Sequence, residues 1–171
     1  TTVVVQPDEQ DAFRTAFAAA GLAPQLRLVP GGATRQESVI NGLQTMPEEV
    51  QIVVVQDAAR PYSTVALLQK CVESARKRGS GVAARRVTDT IKTATPEGRV
   101  LSTPDRTTLW AAETPQVFRT QLLQRAYQYV KAEALTVTDE AQAVEFLGEP
   151  VFLVEHSDRN SKITLKSDLH C

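Results

Sequence analysis

Asp57 and Arg60 follow the apolar run Ile52-Val53-Val54-Val55 and stand just before Pro61. An acid in that place can hold a metal ion, usually with help from substrate phosphates. An arginine beside it can grip a phosphate through its planar fork. Together the two suggest phosphate chemistry. A strand-end acid paired with a nearby arginine accounts for the same residues, and the pair alone leaves both readings open.

A second set is Gly31-Gly32-Ala33-Thr34-Arg35-Gln36-Glu37-Ser38, which joins a strand end to a helix start. Its glycines let a ligand come close. Helix-start amides suit an anionic or polar ligand, and Arg35 and Ser38 share a helix face. A Pro-Gly-Gly turn with an exposed arginine is the plainer alternative. In a third set, Asn160, Lys162 and Thr164 alternate with Ser161 and Ile163. In a strand these three polar groups face one way and suit a phosphate or a polyol; a solvated edge strand reads the same. Asp89-Thr90 and Asp105-Arg106 read as solvated loop residues, and Thr114-Pro115-Gln116 reads as a rigid turn. Asp139 and Glu140 read as acids that favour a helix dipole.

The elements that must position these groups alternate. Strands are expected at 2–5, 26–29, 52–55, 81–85 and 151–154, and helices at 8–20, 36–45, 63–78, 119–134 and from about 138. That order predicts an α/β fold with a mainly parallel sheet and helices on both faces. The unalternated run Ile52–Val55 predicts a strand covered on both faces. The basic run Arg76-Lys77-Arg78 before Gly79 reads as a helix end. From 87 to 109 no helix is expected. Thr95-Pro96-Glu97-Gly98 has the residues of a type I turn, so 90–101 reads as a hairpin poor in core residues. Such a hairpin is either a surface flap or an arm on a partner subunit.

With 171 residues, 42% hydrophobic and 23% charged, the chain suffices for one domain with a sizeable core. A net charge of -1 argues against a nucleic-acid binder. No apolar run approaches membrane-spanning length, and no signal peptide is visible at Thr1. Cys71 and Cys171, with His156 and His170, form no disulfide framework or metal-ligand cluster. Cys71 falls on an apolar helix side and reads as a packed thiol. This composition fits a reducing, cytosolic compartment. Thr1 begins directly on a strand, and Ser167-Asp168-Leu169 has the look of a helix start. A single domain over 1–171, cut at both ends, is therefore the expectation.

Six segments, in order, resemble one family. They are Gly-Gly-Ala-Thr-Arg-Gln-Glu-Ser-Val (31–39), Asp-Ala-Ala-Arg-Pro (57–61), Asp-Thr-Ile-Lys (89–92), Thr-Pro-Gln-Val-Phe (114–118), Thr-Asp-Glu-Ala (138–141) and Asn-Ser-Lys-Ile-Thr (160–164). The family is 2-C-methyl-D-erythritol 4-phosphate cytidylyltransferase, of the non-mevalonate isoprenoid pathway. The resemblance implies a Rossmann-like nucleotidyltransferase fold with a protruding β-hairpin arm. It implies attack by the phosphate of methylerythritol phosphate on the α-phosphorus of CTP, with magnesium or another divalent cation offsetting the triphosphate charge. It places Gly32, Arg35 and Ser38 around cytosine and ribose. Asp57 would serve the metal and methylerythritol phosphate, with Ala58 and Arg60 beside it, and Lys162 would bind a phosphate. Thr114 and Thr138 join the substrate-binding set. Thr90 and Arg106, on an arm over 87–110, would reach the other subunit's site, which implies a homodimer. The family's compartments are the bacterial cytoplasm and the plastid stroma.

The family also begins with a strand and a glycine-rich loop carrying an arginine and a lysine. Neither cation is in this chain, so weak CTP binding and little turnover are expected of it as it stands. Gln56 takes a place where histidine is common, and His156 one where glycine is common, which is expected to narrow the substrate mouth. Two alternatives stay open: transfer to another polyol phosphate such as ribitol 5-phosphate, and a non-catalytic dimer module. Upstream sequence separates the last from an enzyme.

Overall fold

Local signals in the chain set most element ends. The computed structural model describes residues 1–165 and Asp168. Ser167 and Leu169 of the expected helix start, with His170 and Cys171, lie outside the described residues. The contacts divide the chain into two units, Thr1–Gln51 with Thr120–Glu149, and Ile52–Arg119 with the segment from Pro150 onward.

In the first unit, β1 (Thr2–Val5) pairs in parallel with β2 (Arg27–Pro30), Thr2 opposite Arg27 and Val5 opposite Pro30. Between them runs α1 (Gln10–Ala19). Helix α2 (Arg35–Gln44) begins at a full capping box. Thr34 accepts from the Glu37 backbone N–H, and the Glu37 carboxylate accepts from that of Thr34, so two otherwise unpaired donors are satisfied. Helix α4 (Thr120–Ala132) buries Leu123, Ala126, Tyr127 and Val130, close to the face that the 3.6-residue period predicts. It packs on α5 (Glu140–Phe146), which Asp139 caps by accepting from Gln142 N–H.

In the second unit, four strands lie in the order β3 (Ile52–Val55), β7 (Trp110–Arg119), β4 (Ser80–Arg86), β8 (Leu153–Glu155). Helix α3 (Val65–Arg78) joins β3 to β4 and ends at Gly79, whose φ of 96° suits a left-handed C-cap. Leu67, Cys71 and Ala75 of α3 meet Ala83 and Val117 of the sheet in one buried cluster, flanked by Ile52, Leu68, Val72 and Val154. Truncating a leucine in such a place costs about 2–5 kcal/mol.

The α/β class is as expected, and three details differ. Strand β7 is ten residues long and central, where Thr114-Pro115-Gln116 suggested a turn; the Thr114–Pro115 peptide is cis. It runs antiparallel to both β3 and β4, while β4 and β8 pair in parallel. Pro115 is tolerated because the ladder shifts between the pairs Val82–Gln116 and Ala84–Ala112, where no donor is called for. Second, β3 ends the sheet order, and Val54 is 38% exposed. Its valines report β-propensity, whereas cover depends on what packs against them. Third, 160–164 is irregular and no strand.

The hairpin forms as expected, from β5 (Thr93–Ala94) and β6 (Val100–Ser102). Gly98 at φ 87° closes its turn, donating to Thr95 O at 2.9 Å. Val100 and Leu101 are exposed on it. A short 3-10 turn, Arg106–Thr108, occurs where no helix was expected, because Asp105 accepts from the Thr107 N–H and hydroxyl.

Candidate active site

The carboxyl end of β3 delivers Asp57, as the sequence predicts. Its backbone N–H donates to Thr114 Oγ1 at 3.0 Å, so β7 fixes the start of the loop. The Lys162 ammonium donates to Asp57 Oδ2 at 2.8 Å. Ile163 N–H donates to Ala59 O at 2.7 Å and ties the two segments together. Asp57 and Lys162 thus form a partly exposed ion pair, with side-chain exposures of 16% and 42%. Solvent screening keeps such a pair weak.

Arg60 follows on the same loop. Its side chain is only 12% exposed. One Nη1–H donates to Asn160 O at 2.6 Å, and the same nitrogen lies 3.5 Å from Glu113 Oε2. Arg60 therefore holds the chain path and lends positive charge, with its fork turned inward. Asn160 is fully buried and donates to Glu113 Oε2 at 2.7 Å and to Thr114 O at 2.8 Å. Asn160, Lys162 and Thr164 thus share no common face, because 160–164 is no strand.

Thr114 is buried, and its hydroxyl serves Asp57. His156 is buried too, with Nε2 3.3 Å from Glu113 Oε2. It fills the interior beside Glu113. Ala58 is exposed between Asp57 and the Ala59 carbonyl.

In the other unit, Gly32 N–H donates to Ser38 Oγ at 3.1 Å, and that hydroxyl donates to Thr34 O at 2.9 Å. A side chain at position 32 would collide with Glu37, so the turn over the helix start requires glycine there. Arg35 meets Glu140 in a two-bond fork, Nη1 to Oε1 at 2.8 Å and Nη2 to Oε2 at 3.0 Å. Tyr127 OH also donates to Glu140, at 3.1 Å. Burial, then the Glu140 charge, pushes the Tyr127 phenol well above its usual range. Glu140 is fully buried, so it is far more than a helix-dipole acid. Thr138 is exposed and caps its own helix start, donating from N–H and hydroxyl to Gln142 Oε1.

On the arm, Thr90 and Arg106 are both exposed. Arg106 Nη1 donates to Thr88 O at 2.8 Å. Sequence reasoning missed Glu113 altogether, and it named Glu140 without its role. Nothing in their local spacing marks these roles, since their partners are distant in the chain.

A family profile described as 2-C-methyl-D-erythritol 4-phosphate cytidylyltransferase matches residues 1–171. The chain belongs to this family. A 2-C-methyl-D-erythritol 4-phosphate cytidylyltransferase of Trichormus variabilis is 39% identical over 167 residues, covering 98% of this chain and 73% of the relative. One of Prochlorococcus marinus is 43% identical over 141 residues, covering 82% and 63%. The crystal structure of 4-diphosphocytidyl-2C-methyl-D-erythritol synthase from Anaerococcus prevotii superposes with a TM-score of 0.88 at 28% identity, over 99% of this chain and 74% of that one. Membership makes the chain a nucleotidyltransferase of Rossmann-like fold, and family members of this kind commonly use a divalent metal. No helix among the described residues is long and apolar enough to cross a membrane.

Proposed function

We propose that the chain transfers a cytidylyl group from CTP to 2-C-methyl-D-erythritol 4-phosphate, giving 4-diphosphocytidyl-2-C-methyl-D-erythritol and pyrophosphate. An oxygen of the methylerythritol phosphate bonds to the α-phosphorus as the bond to the β-phosphate oxygen breaks. The family membership supports this reading, and the Asp57–Lys162 pair at the end of β3 is the observation that carries it into the geometry. In such a displacement the protein works by positioning and by electrostatics.

Lys162 exchanges its contact with Asp57 for a phosphate, and Arg60 adds positive charge behind it. Asp57 would hold a divalent cation through its carboxylate and orient the methylerythritol phosphate. The donor chemistry fits magnesium. A single carboxylate acting with substrate phosphates is how proteins often hold that ion. When bound, the metal offsets triphosphate charge. Gly32, Arg35 and Ser38 border the cytidine, with Arg35 acting through the frame that Glu140 braces. Ala58 and Thr138 line the substrates, and Thr114 acts through Asp57.

Thr90 and Arg106 on the 87–110 arm reach the methylerythritol phosphate of a second copy in a homodimer. The exposed Val100 and Leu101 on this arm support a partner surface. The compartment proposed is the bacterial cytoplasm or plastid stroma. Pyrophosphate release by the intact protein, with CTP, magnesium and either methylerythritol phosphate or ribitol 5-phosphate, tests the reading. Release with the first alone is expected. Release with ribitol 5-phosphate alone overturns the assigned substrate.

A further inference from the structure

We infer that Glu113 is a positioning residue for this transfer, acting through Asn160 on the Lys162–Asp57 pair; the inference rests on the reaction proposed above. Glu113 is almost fully buried in the middle of β7, where an ionised carboxylate is costly unless it is paired. Four groups from three segments converge on it: Arg85 of β4, Arg60 of the loop after β3, and His156 with Asn160 from the stretch after β8. Oε1 accepts from Arg85 Nε at 2.7 Å, with Arg85 Nη2 also at 2.7 Å. Oε2 accepts from Asn160 Nδ2 at 2.7 Å and faces His156 Nε2 at 3.3 Å and Arg60 Nη1 at 3.5 Å.

Two of these segments carry the proposed chemistry. Arg60 comes from the loop that holds Asp57. Asn160 lies two residues before Lys162. Arg60 also binds the Asn160 carbonyl at 2.6 Å, so Asn160 is gripped at its side chain by Glu113 and at its backbone by Arg60. The neighbouring Thr114 completes the frame, since its hydroxyl accepts from Asp57 N–H and its carbonyl accepts from Asn160. Adjacent residues of one strand therefore set both partners of the Asp57–Lys162 pair. A buried acid that only balanced charge would need one arginine. Glu113 also spends an oxygen on the amide that leads to Lys162. Misplacing a phosphate-binding group by a fraction of an ångström is enough to slow an in-line displacement.

The intact enzyme is the material for the test. Glu113→Gln keeps shape and one acceptor, but it cannot accept from both guanidinium and amide without opposing its own NH2 to a donor. The expected kcat falls about tenfold or more while KM for CTP stays within about twofold, the signature of a lost transition-state contact. Asn160→Ala lowers kcat similarly. The double variant is no worse than the poorer single variant within about twofold, as expected for residues acting in series. Reductive methylation of Lys162, read by peptide mass spectrometry, rises about threefold or more in Glu113→Gln as the ammonium leaves its partner. Glu73→Gln, on an exposed helix pair with Lys77, is the control and leaves all readouts unchanged.

Additive losses in the double variant overturn the inference. So does a lowered unfolding midpoint with kcat and Lys162 labelling unaltered, which is the mark of a purely structural acid. If Glu113→Gln does not fold, Glu113→Asp keeps the charge, shortens the reach and carries the same readouts. A wild-type enzyme that forms no cytidylyl product defeats the proposed reaction instead. The labelling result still decides whether Glu113 holds Lys162.

Discussion

The Arg35 guanidinium and the Glu140 carboxylate form a two-bond fork across 105 residues of sequence, at 2.8 and 3.0 Å. Glu140 is fully buried, while the Arg35 side chain is 38% exposed. The fork joins the helix start after Gly32 to the start of α5. A bidentate pair of this kind fixes direction as well as charge.

Arg35→Ala would leave Glu140 buried with the Arg35 fork gone and Tyr127 OH still donating to it at 3.1 Å. Removing one partner of a buried ion pair costs about 3–5 kcal/mol; the partial exposure of Arg35 points to the lower end. Urea unfolding of Arg35→Ala should show a loss of about 3 kcal/mol. A loss below about 0.5 kcal/mol, the level of a surface pair, would remove the bracing role from Arg35.

Asp57→Asn keeps the shape of the β3 end and removes its negative charge. Turnover with magnesium should fall about 100-fold or more, because metal charge compensation is worth several kcal/mol and each 1.36 kcal/mol is tenfold. Titrating magnesium in both proteins checks it. Unchanged turnover with the same magnesium dependence would end the metal assignment of Asp57.

Arg106→Ala should raise KM for methylerythritol phosphate about tenfold and leave KM for CTP within about twofold, the pattern of a lost substrate contact. Arg106 is exposed and bonds to the Thr88 carbonyl, so its loss leaves no buried partner stranded. Steady-state kinetics with each substrate varied decide the matter. Equal shifts in both constants would contradict the arm assignment.

Cys71 is fully buried among Leu67, Ala75, Ala83 and Val117. Burial pushes its thiol up from 9.0 to about 11, against a smaller opposing pull from Lys70. The folded thiol therefore keeps its proton where the unfolded one has lost it. Its contribution to stability is fully present below pH 9.0 and is lost as pH rises through about 11. The stability difference between wild type and Cys71→Ala should narrow over that window. At pH 8, peptide-resolved alkylation at Cys71 should be slow in the native protein and fast in denaturant. Rapid native alkylation would show that the site opens readily.

What the sequence determined by itself is largely local. The stop at Gly79, the turn at Gly98 and the buried face of α4 are readable because they depend on residues within a few positions along the chain. The ordered motifs placed Asp57 at a strand end and located Lys162, and they identified the family. Tertiary structure decided the rest. It made 110–119 a central strand around Pro115, turned Arg60 inward, and brought Asn160 to Glu113 and Arg35 to Glu140. Periodicity reports which face of an element is apolar. It says nothing of which distant charge a buried carboxylate will meet, since that depends on the path of the whole chain and on the cost of leaving such a group unpaired.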